Sequence, residues 1–324
     1  MRLSKTAREA ALAVAAGVLG GGLCWVAYRL PPPSTSDLEP VWTGARALWR
    51  GLDPYAVVPT TGTRYPLYYP LPAILVGAPL ALVRFTWAQV VWAAASASVF
   101  TLAALRYRRG MLPALLSANL LNAVVQGQWS PLLTAAAVFP ALAWVWPAKP
   151  TVGAALFAAF PSRRALFGGA VVVALSLLVF PAWPGRWMEA LRLSNHVAPV
   201  MRSGGLLLLL ALIRWRQPEA RLLAVLACAP QTIGLYETLP LFLIPRTRWQ
   251  GYALAVLSYL AAFGQAILAP RLPDSTWEAN NAARWPFIFA LLYLPALIML
   301  FLPGQPGPAG ADPAPAPGDG RRRQ

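Results

Sequence analysis

The run of residues 10–28, AALAVAAGVLGGGLCWVAY, contains no charged residue and decides the class of fold. A helix needs about 20 consecutive apolar residues to cross the roughly 30 Å hydrocarbon core of a bilayer, and this run is close to that length. Arg2, Lys5 and Arg8 precede it as in a signal peptide, but no clean small-x-small cleavage site follows. We therefore expect a signal anchor with its N-terminus in the cytoplasm.

The composition extends this prediction to the whole chain. Of the 324 residues, 58% are hydrophobic and only 12% are charged, whereas a soluble domain carries about 25% charged residues. This excludes a water-soluble enzyme and indicates an all-α, polytopic membrane protein. The net charge of +16 comes from short basic clusters between apolar runs, which is typical of cytoplasmic membrane loops, so we expect no nucleic-acid partner.

The rare residues restrict the chemistry. His196 is the single histidine, and Cys24 and Cys228 both lie in apolar runs, which excludes a multi-histidine metal site and implies no disulfide framework. The sequence has neither a P-loop nor a Rossmann fingerprint. We predict no metal and no cofactor, so any chemistry must rest on carboxylates, a few basic side chains, amides and aromatics.

Further apolar runs define the domain organisation. They begin near residues 71, 85, 111, 131, 151, 165, 197, 221, 239, 250 and 285. Those at 111–125, 151–160 and 239–244 are too short for straight spans and indicate broken or re-entrant helices. We expect about nine to eleven membrane segments in one domain, residues 1–302. The Pro/Gly-rich tail, residues 303–324, should be disordered and cytoplasmic.

Basic clusters test the orientation of these segments. If successive apolar segments cross the membrane in alternating directions, the clusters at 161–164, 214–216, 246–248 and 321–323 all lie on the cytoplasmic side. With the same assignment of segments, the cluster at 106–109 lies on the outer side. Either the segment at 67–83 or the one at 85–105 is then misread, or the cluster serves an external anion.

The first outer loop, residues 31–66, carries the strongest functional signal. Asp37 comes a few residues after the first span, which places a carboxylate at the outer membrane surface. The apolar residues between Val41 and Trp49 recur at helical spacing, with Arg46 and Arg50 on another face. This pattern predicts a short interfacial helix with its tryptophans at headgroup depth.

Several stretches resemble glycosyltransferase family 87, the membrane mannosyltransferases of the GT-C superfamily. They are Ser36-Asp37, Ala45-Arg46-Ala47-Leu48, Gly51-Leu52-Asp53-Pro54-Tyr55, Tyr65-Pro66-Leu67, the Gly-Gln stretch Gln126-Gly127-Gln128-Trp129-Ser130-Pro131-Leu132-Leu133, and the Lys-Pro element Ala148-Lys149-Pro150. The resemblance covers roughly residues 10–165. It implies a GT-C-like helical bundle with the interfacial helix in its first outer loop.

The same resemblance implies an activity. Family members move a sugar, here expected to be mannose, from a polyprenyl-phosphate donor to a lipid-linked or glycan acceptor at the outer face of the cytoplasmic membrane. Asp37 matches the aspartate that serves as general base in this inverting reaction. An acceptor hydroxyl is a poor nucleophile, so a carboxylate within hydrogen-bond reach must take its proton.

Other residues are candidates for substrate binding, each with a plainer alternative. The candidates are Lys149, Arg64, Glu39, Asp53, Tyr55, Gln128 and Arg46. Asp37 could instead cap the following helix, Asp53 could form a turn, and Arg46 could reach lipid headgroups. Gln128, with Gln126 and Asn122, binds sugar hydroxyls or joins helices. A cation such as Lys149 is costly in an apolar region without a partner, so it marks either an interface or a site where it contacts the donor phosphate.

Two other functions remain open. A transporter or flippase for a lipid-linked solute would explain the short broken segments, although the sequence has no internal repeat of the kind common in transporters. A catalytically silent relative of the transferases is the third possibility. In each case the partners include membrane lipids.

Overall fold

The structure is a computed structural model that describes residues 4–30, 36–63, 66–194, 196–267 and 277–302, without the side chains of residues 277 and 278. Within these ranges the chain is mostly helical and forms no strand. The all-α prediction is therefore confirmed. The predicted disordered tail, residues 303–324, lies outside the described residues.

Short helices alternate with a few long ones. The α-helices of the described residues are α1 Lys5–Arg29, α2 Leu38–Trp49, α3 Pro54–Val57, α4 Leu71–Gly77, α5 Phe85–Arg106, α6 Ala118–Val125, α7 Ser130–Val138, α8 Pro150–Ala159, α9 Arg163–Val179, α10 Trp183–Arg192, α11 Pro218–Cys228, α12 Arg248–Ile267, α13 Trp277–Ile288 and α14 Leu294–Phe301. The 3₁₀ segments are Val58–Thr60, Ala78–Leu82, Arg109–Leu116, Pro140–Ala148, Pro199–Met201, Gly205–Arg214 and Leu235–Leu243, and a π-helical turn, Phe289–Tyr293, joins α13 to α14.

Three helical stretches among the described residues are long and apolar enough to cross a membrane: α1, α5 and Ala279–Phe301. A fourth is added if α9 and α10, which are bent by 97° at their junction, count as one span. The outward-facing side chains of α9 are consistent with a membrane-spanning helix, since Phe167 and Leu178 are 74% and 79% exposed. Large apolar surfaces of this kind are typical of contact with lipid. The total of nine to eleven membrane segments stays a prediction.

The first two long helices pack through small residues. A Cβ atom added to Gly17 on α1 would lie 2.0 Å from Ser98 Oγ and 2.9 Å from the Ala94 carbonyl oxygen on α5. Gly21 approaches α5 similarly, with its added Cβ 3.2 Å from that of Ala94. Close backbone approach of this kind is a usual way for helices to associate in lipid, where dispersion contacts replace the hydrophobic effect.

The end of α5 lies beside the start of α1. Arg106 Nε is 3.0 Å from Glu9 Oε2, and the Arg108 guanidinium pairs with Glu219 at the start of α11. The Arg221 side chain donates to the carbonyl oxygens of Ala159 and Arg216, 3.1 and 3.2 Å away. We call this region, defined by Glu9, Arg106, Arg108, Glu219 and Arg221, the basic end.

The structure bears on the alternatives left open for the cluster at 106–109. That cluster lies at the same end of the bundle as the start of α1. Leu71–Leu82 is shorter than a membrane span, whereas α1 and α5 are both long enough to cross. This favours the alternative in which the segment at 67–83 is not a span, and the membrane topology stays a prediction.

A broken pair of short helices leads from the basic end to the opposite end of the molecule. The 3₁₀ segment Arg109–Leu116 and helix α6 follow one another with a break at Ser117. The freed Ala118 N–H at the break donates to Ser258 Oγ at 2.9 Å. This confirms the predicted broken element at 111–125, because its backbone groups are satisfied inside the protein.

Candidate active site

A large cavity lies at the end of the molecule opposite the basic end. Its volume is about 1290 Å³, and its lining includes Asp37, Tyr69, Lys149, Tyr236 and Glu237. The residues come from the first loop, from the start of α8 and from the second half of the chain. The cavity thus joins the stretches that carry the family resemblance to a region that the sequence did not single out.

Asp37 presents its carboxylate to this cavity. It occupies the N-cap position of α2, yet its side chain makes no capping hydrogen bond. Instead Oδ2 accepts a hydrogen bond from Gln128 Nε2 and one from the Tyr236 hydroxyl at 3.4 Å. The neighbouring Ser36 hydroxyl accepts from Leu38 N–H at 3.3 Å. The carboxylate of Asp37 is therefore not used as a helix cap.

The loop around Gly127 holds Asp37 in this position. The Asp37 N–H donates to the Gln126 carbonyl oxygen at 3.1 Å. Gly127 has a φ of +63°, and a Cβ atom added there would lie 2.9 Å from Ser36 Oγ. Glycine is therefore needed both for the left-handed backbone and for the close approach of the two loops.

The surroundings of Asp37 change its acidity. Burial raises the pKa of the Asp37 carboxyl, while the Lys149 ammonium and the hydrogen bond from Gln128 lower it. The Glu237 carboxylate raises the pKa further, and the Tyr236 hydrogen bond lowers it. A carboxylate with a raised pKa is a stronger base, which suits the removal of a proton from a hydroxyl group.

Lys149 and Glu237 form a buried ion pair next to Asp37. Lys149 Nζ lies 3.2 Å from Glu237 Oε1 and 4.8 Å from the centre of the Tyr236 ring. The two residues are 9% and 2% exposed. Glu237 Oε2 also accepts a hydrogen bond from Thr232 N–H at 2.8 Å. The predicted cation in an apolar region thus has a carboxylate partner from the second half of the chain.

The loop before Glu237 is strained. Ile233 has a φ of +53° although it is β-branched and only 1% exposed. Such a residue is a conformational outlier, and strain of this kind costs about 1–3 kcal/mol. The Thr232 hydroxyl lies 2.8 Å from the Tyr236 hydroxyl, so this loop orders the side chain that reaches Asp37.

Aromatic residues form the outer wall of the cavity. Trp187 on α10 donates from Nε1 to the Tyr68 carbonyl oxygen at 3.0 Å. The rings of Tyr68 and His196 are 5.4 Å apart in an edge-to-face arrangement, and all three residues line the cavity. Helix α10 therefore closes one side of the site against the first loop.

Asp53 and Tyr55 lie in a separate, smaller pocket of about 250 Å³. Asp53 caps α3 by accepting from the Tyr55 N–H at 2.9 Å and pairs with Arg186 on α10 at 3.2 Å. The Tyr55 hydroxyl donates to the Tyr69 carbonyl oxygen at 3.0 Å. These contacts agree with a structural role as a turn and cap, and they connect the first loop to α10.

The other predicted residues are distributed differently. Arg46 is exposed and stacks on Trp42, with 4.8 Å between the guanidinium carbon and the ring centre. Glu39 is partly buried on α2 and does not line the cavity, whereas Gln126 and Asn122 do. Arg64 lies outside the described residues.

Sequence reasoning missed three residues of the second half: Tyr236, Glu237 and Arg284, all of which line the cavity. One signal was available. Glu237 is an acidic residue within an apolar stretch, and an ionisable residue in such a place is a functional candidate with an expected partner. No group of three or more His, Cys, Asp and Glu side chains suited to a metal ion occurs in the part of the chain that the structure covers.

Comparison with known proteins identifies no relative of this chain. No protein-family model, no curated protein and no solved structure matches the chain. The function must therefore be argued from the cavity and its residues.

Proposed function

We propose that the protein is a membrane glycosyltransferase that moves a sugar from a polyprenyl-phosphate donor to the hydroxyl group of a lipid-linked or glycan acceptor. The observation that supports this most is the Asp37 carboxylate, which lines a cavity of about 1290 Å³ and is held by Gln128 and Tyr236 instead of capping its helix. A partly buried carboxylate facing a cavity is what a general base requires.

The proposed step is a single displacement with inversion. The acceptor hydroxyl gives its proton to Asp37 while its oxygen attacks the anomeric carbon of the donor sugar. The bond between that carbon and the phosphate oxygen breaks, and the polyprenyl phosphate leaves with the bonding electrons. Positive charge or hydrogen-bond donors near the leaving phosphate offset its developing negative charge.

The orientation of the molecule supports a site at the outer face. The basic end collects Arg106, Arg108 and Arg221, and positive clusters mark the cytoplasmic side of membrane proteins. The cavity lies at the opposite end, where α1 emerges near Arg29. On this orientation the site opens to the outside of the cytoplasmic membrane, where lipid-linked sugars are accessible.

A pair of carboxylates provides the test. We expect Asp37→Asn to lower sugar transfer from polyprenyl-phosphate mannose about 10²–10⁴-fold in proteoliposomes, the usual contribution of a general base. Glu189→Gln removes a carboxylate whose side chain is 65% exposed and lies outside the cavity, and its transfer rate should stay close to that of the unchanged protein. Unfolding temperatures of both variants serve as the control for folding.

The outcomes separate the candidate functions. Sugar transfer by the Asp37→Asn variant at an unchanged rate would refute the role of Asp37 as general base. Movement of the intact lipid-linked sugar across the bilayer, without release of the sugar, would instead favour a transporter. A folded protein without transfer or transport on any polyprenyl-phosphate hexose would favour the silent relative.

A further inference from the structure

The charge of Lys149 is already neutralised within the cavity. Its ammonium group lies 3.2 Å from a Glu237 carboxylate that is itself 2% exposed. A phosphate group that bound to Lys149 would have to displace Glu237 and leave that carboxylate buried without its partner. Breaking a buried ion pair in this way is strongly unfavourable. Lys149 is therefore a poor candidate for binding an anionic ligand.

Among the described residues, Arg284 is the arginine that lines the same cavity. It is partly buried on α13, and within the described residues no carboxylate pairs with it and no side-chain hydrogen bond engages it. The helix is fixed beside it, because Trp285 Nε1 donates to the Ser203 carbonyl oxygen at 2.9 Å and its ring packs 5.9 Å from that of Tyr293. A guanidinium that lines a cavity and pairs with no described carboxylate is suited to receive an anionic ligand.

Two neutral amides line the cavity together with Arg284. Gln265 on α12 and Asn280 on α13 line the cavity with Arg284. The Gln265 Nε2 atom is buried and has no hydrogen-bond partner among the described residues. Neither α12 nor residues 279–288 contain an acidic residue. A ligand that accepts hydrogen bonds would satisfy this buried amide and the guanidinium together.

The cavity also reaches the apolar outer surface of α12. Ala266 lines the cavity and is exposed. Phe263 and Ile267, on the same helix, are 61% and 60% exposed. A ligand whose anionic group binds Arg284 inside the cavity could therefore place an apolar chain against the exposed surface of α12.

We propose that Arg284, with Gln265 and Asn280, binds the phosphate headgroup of a lipid phosphate whose apolar tail leaves the cavity across α12. This inference deepens the proposed function and rests on it, because the proposed function supplies the sugar that the lipid phosphate carries. It assigns phosphate binding to residues in the second half of the chain and not to Lys149. A guanidinium can form two parallel hydrogen bonds to phosphate oxygens, which an ammonium group cannot match.

Binding of farnesyl phosphate to the purified full-length chain in detergent tests the site, with farnesol and inorganic phosphate as comparison ligands. We expect Arg284→Gln to weaken farnesyl phosphate binding at least tenfold, the effect of losing charge-assisted hydrogen bonds, and to leave farnesol binding unchanged. The affinity of Arg284→Lys for farnesyl phosphate should lie between that of the unchanged protein and that of Arg284→Gln. Arg216→Gln, which removes an exposed arginine at the basic end, should bind like the unchanged protein.

Several results would overturn the inference. These are unchanged farnesyl phosphate affinity in Arg284→Gln, or loss of affinity in Lys149→Met but not in Arg284→Gln. If inorganic phosphate bound as tightly as farnesyl phosphate, the proposal that the site also binds an apolar tail would be wrong. If Arg284→Gln does not fold, Arg284→Lys decides, since loss of the two-pronged geometry should weaken farnesyl phosphate more than farnesol. Asp37→Asn should retain farnesyl phosphate binding, so failure of the proposed transfer reaction and failure of this site are distinguishable.

Discussion

The two ends of the molecule bury their ion pairs to different degrees. At the basic end, the side chains of Arg106 and Arg108 are 41% and 40% exposed, although their glutamate partners are only 14% and 4% exposed. At the cavity end, Lys149 and Glu237 are both buried, and they lie next to an aspartate and two tyrosines. Surface pairs contribute little to stability, whereas a buried pair costs free energy to desolvate and is retained for another reason. On the proposed function, the basic end orients the protein and the cavity end carries the chemistry.

Breaking the buried pair should give the largest change in stability. Glu237→Gln leaves the Lys149 charge buried without its partner, and we expect the free energy of unfolding to fall by about 3–5 kcal/mol. Thermal unfolding in detergent measures this. The double variant Lys149→Met with Glu237→Met should recover much of the loss, and a double variant as unstable as the single one would contradict the proposed cause.

The contact between α1 and α5 gives a second test, smaller than the first. Gly17→Val places a side chain against Ser98 and the Ala94 backbone, and we expect a loss of about 1–3 kcal/mol from overpacking. Gly22→Val is the matched control, because a Cβ atom there meets nothing within 4 Å. Equal unfolding temperatures of the two variants would show that the close contact is not needed.

The pH dependence of sugar transfer sharpens the comparison at the cavity end. Because burial raises the pKa of Asp37, the base is protonated as the pH falls through this raised value, and transfer should be lost at a higher pH than an ordinary carboxyl would require. Tyr236→Phe removes a hydrogen bond that lowers this pKa, so the acid limb should move to still higher pH. The exposed Tyr252→Phe is the control. An unmoved acid limb in Tyr236→Phe would argue against the contact with Asp37.

The surface pair at the basic end should give the smallest effect. Glu9→Gln removes the partner of Arg106, and we expect the free energy of unfolding to change by about 0.2–1 kcal/mol. The change should become smaller as salt is added, because exposed charges are screened. A loss as large as that of Glu237→Gln would remove the contrast between the two ends.

The sequence predicted the all-α fold from its composition and the broken helix at 111–125 from its length. It also named Asp37, Gln128 and Lys149, which the structure brings to one place although they are far apart in the chain. The polar stretches that carry these residues interrupt apolar runs, and such interruptions are visible in a single sequence. Their proposed roles in catalysis and binding stay predictions.

The remaining features depend on packing that a sequence does not display. The sequence left the side of the membrane of the cluster at 106–109 open, because hydropathy alone does not distinguish the short element Leu71–Leu82 from a span. Glu237 and Tyr236 reach Asp37 across 200 and 199 positions, and nothing local specifies such a contact. Asp53 and Tyr55 were candidates because they belong to the stretch at residues 51–55 that carries the family resemblance, and they pack against α10 around a separate pocket.

Chemical labelling at position 37 tests the central claim most directly. In a chain with Cys24 and Cys228 replaced by alanine, Asp37→Cys should react with a membrane-impermeant thiol reagent added outside intact cells, and polyprenyl-phosphate mannose should slow the reaction. Arg216→Cys, at the exposed and opposite basic end, should react only after the membrane is permeabilised. Labelling of position 37 only from the cytoplasmic side, or at a rate that the donor does not change, would contradict a base held in an outward-facing cavity.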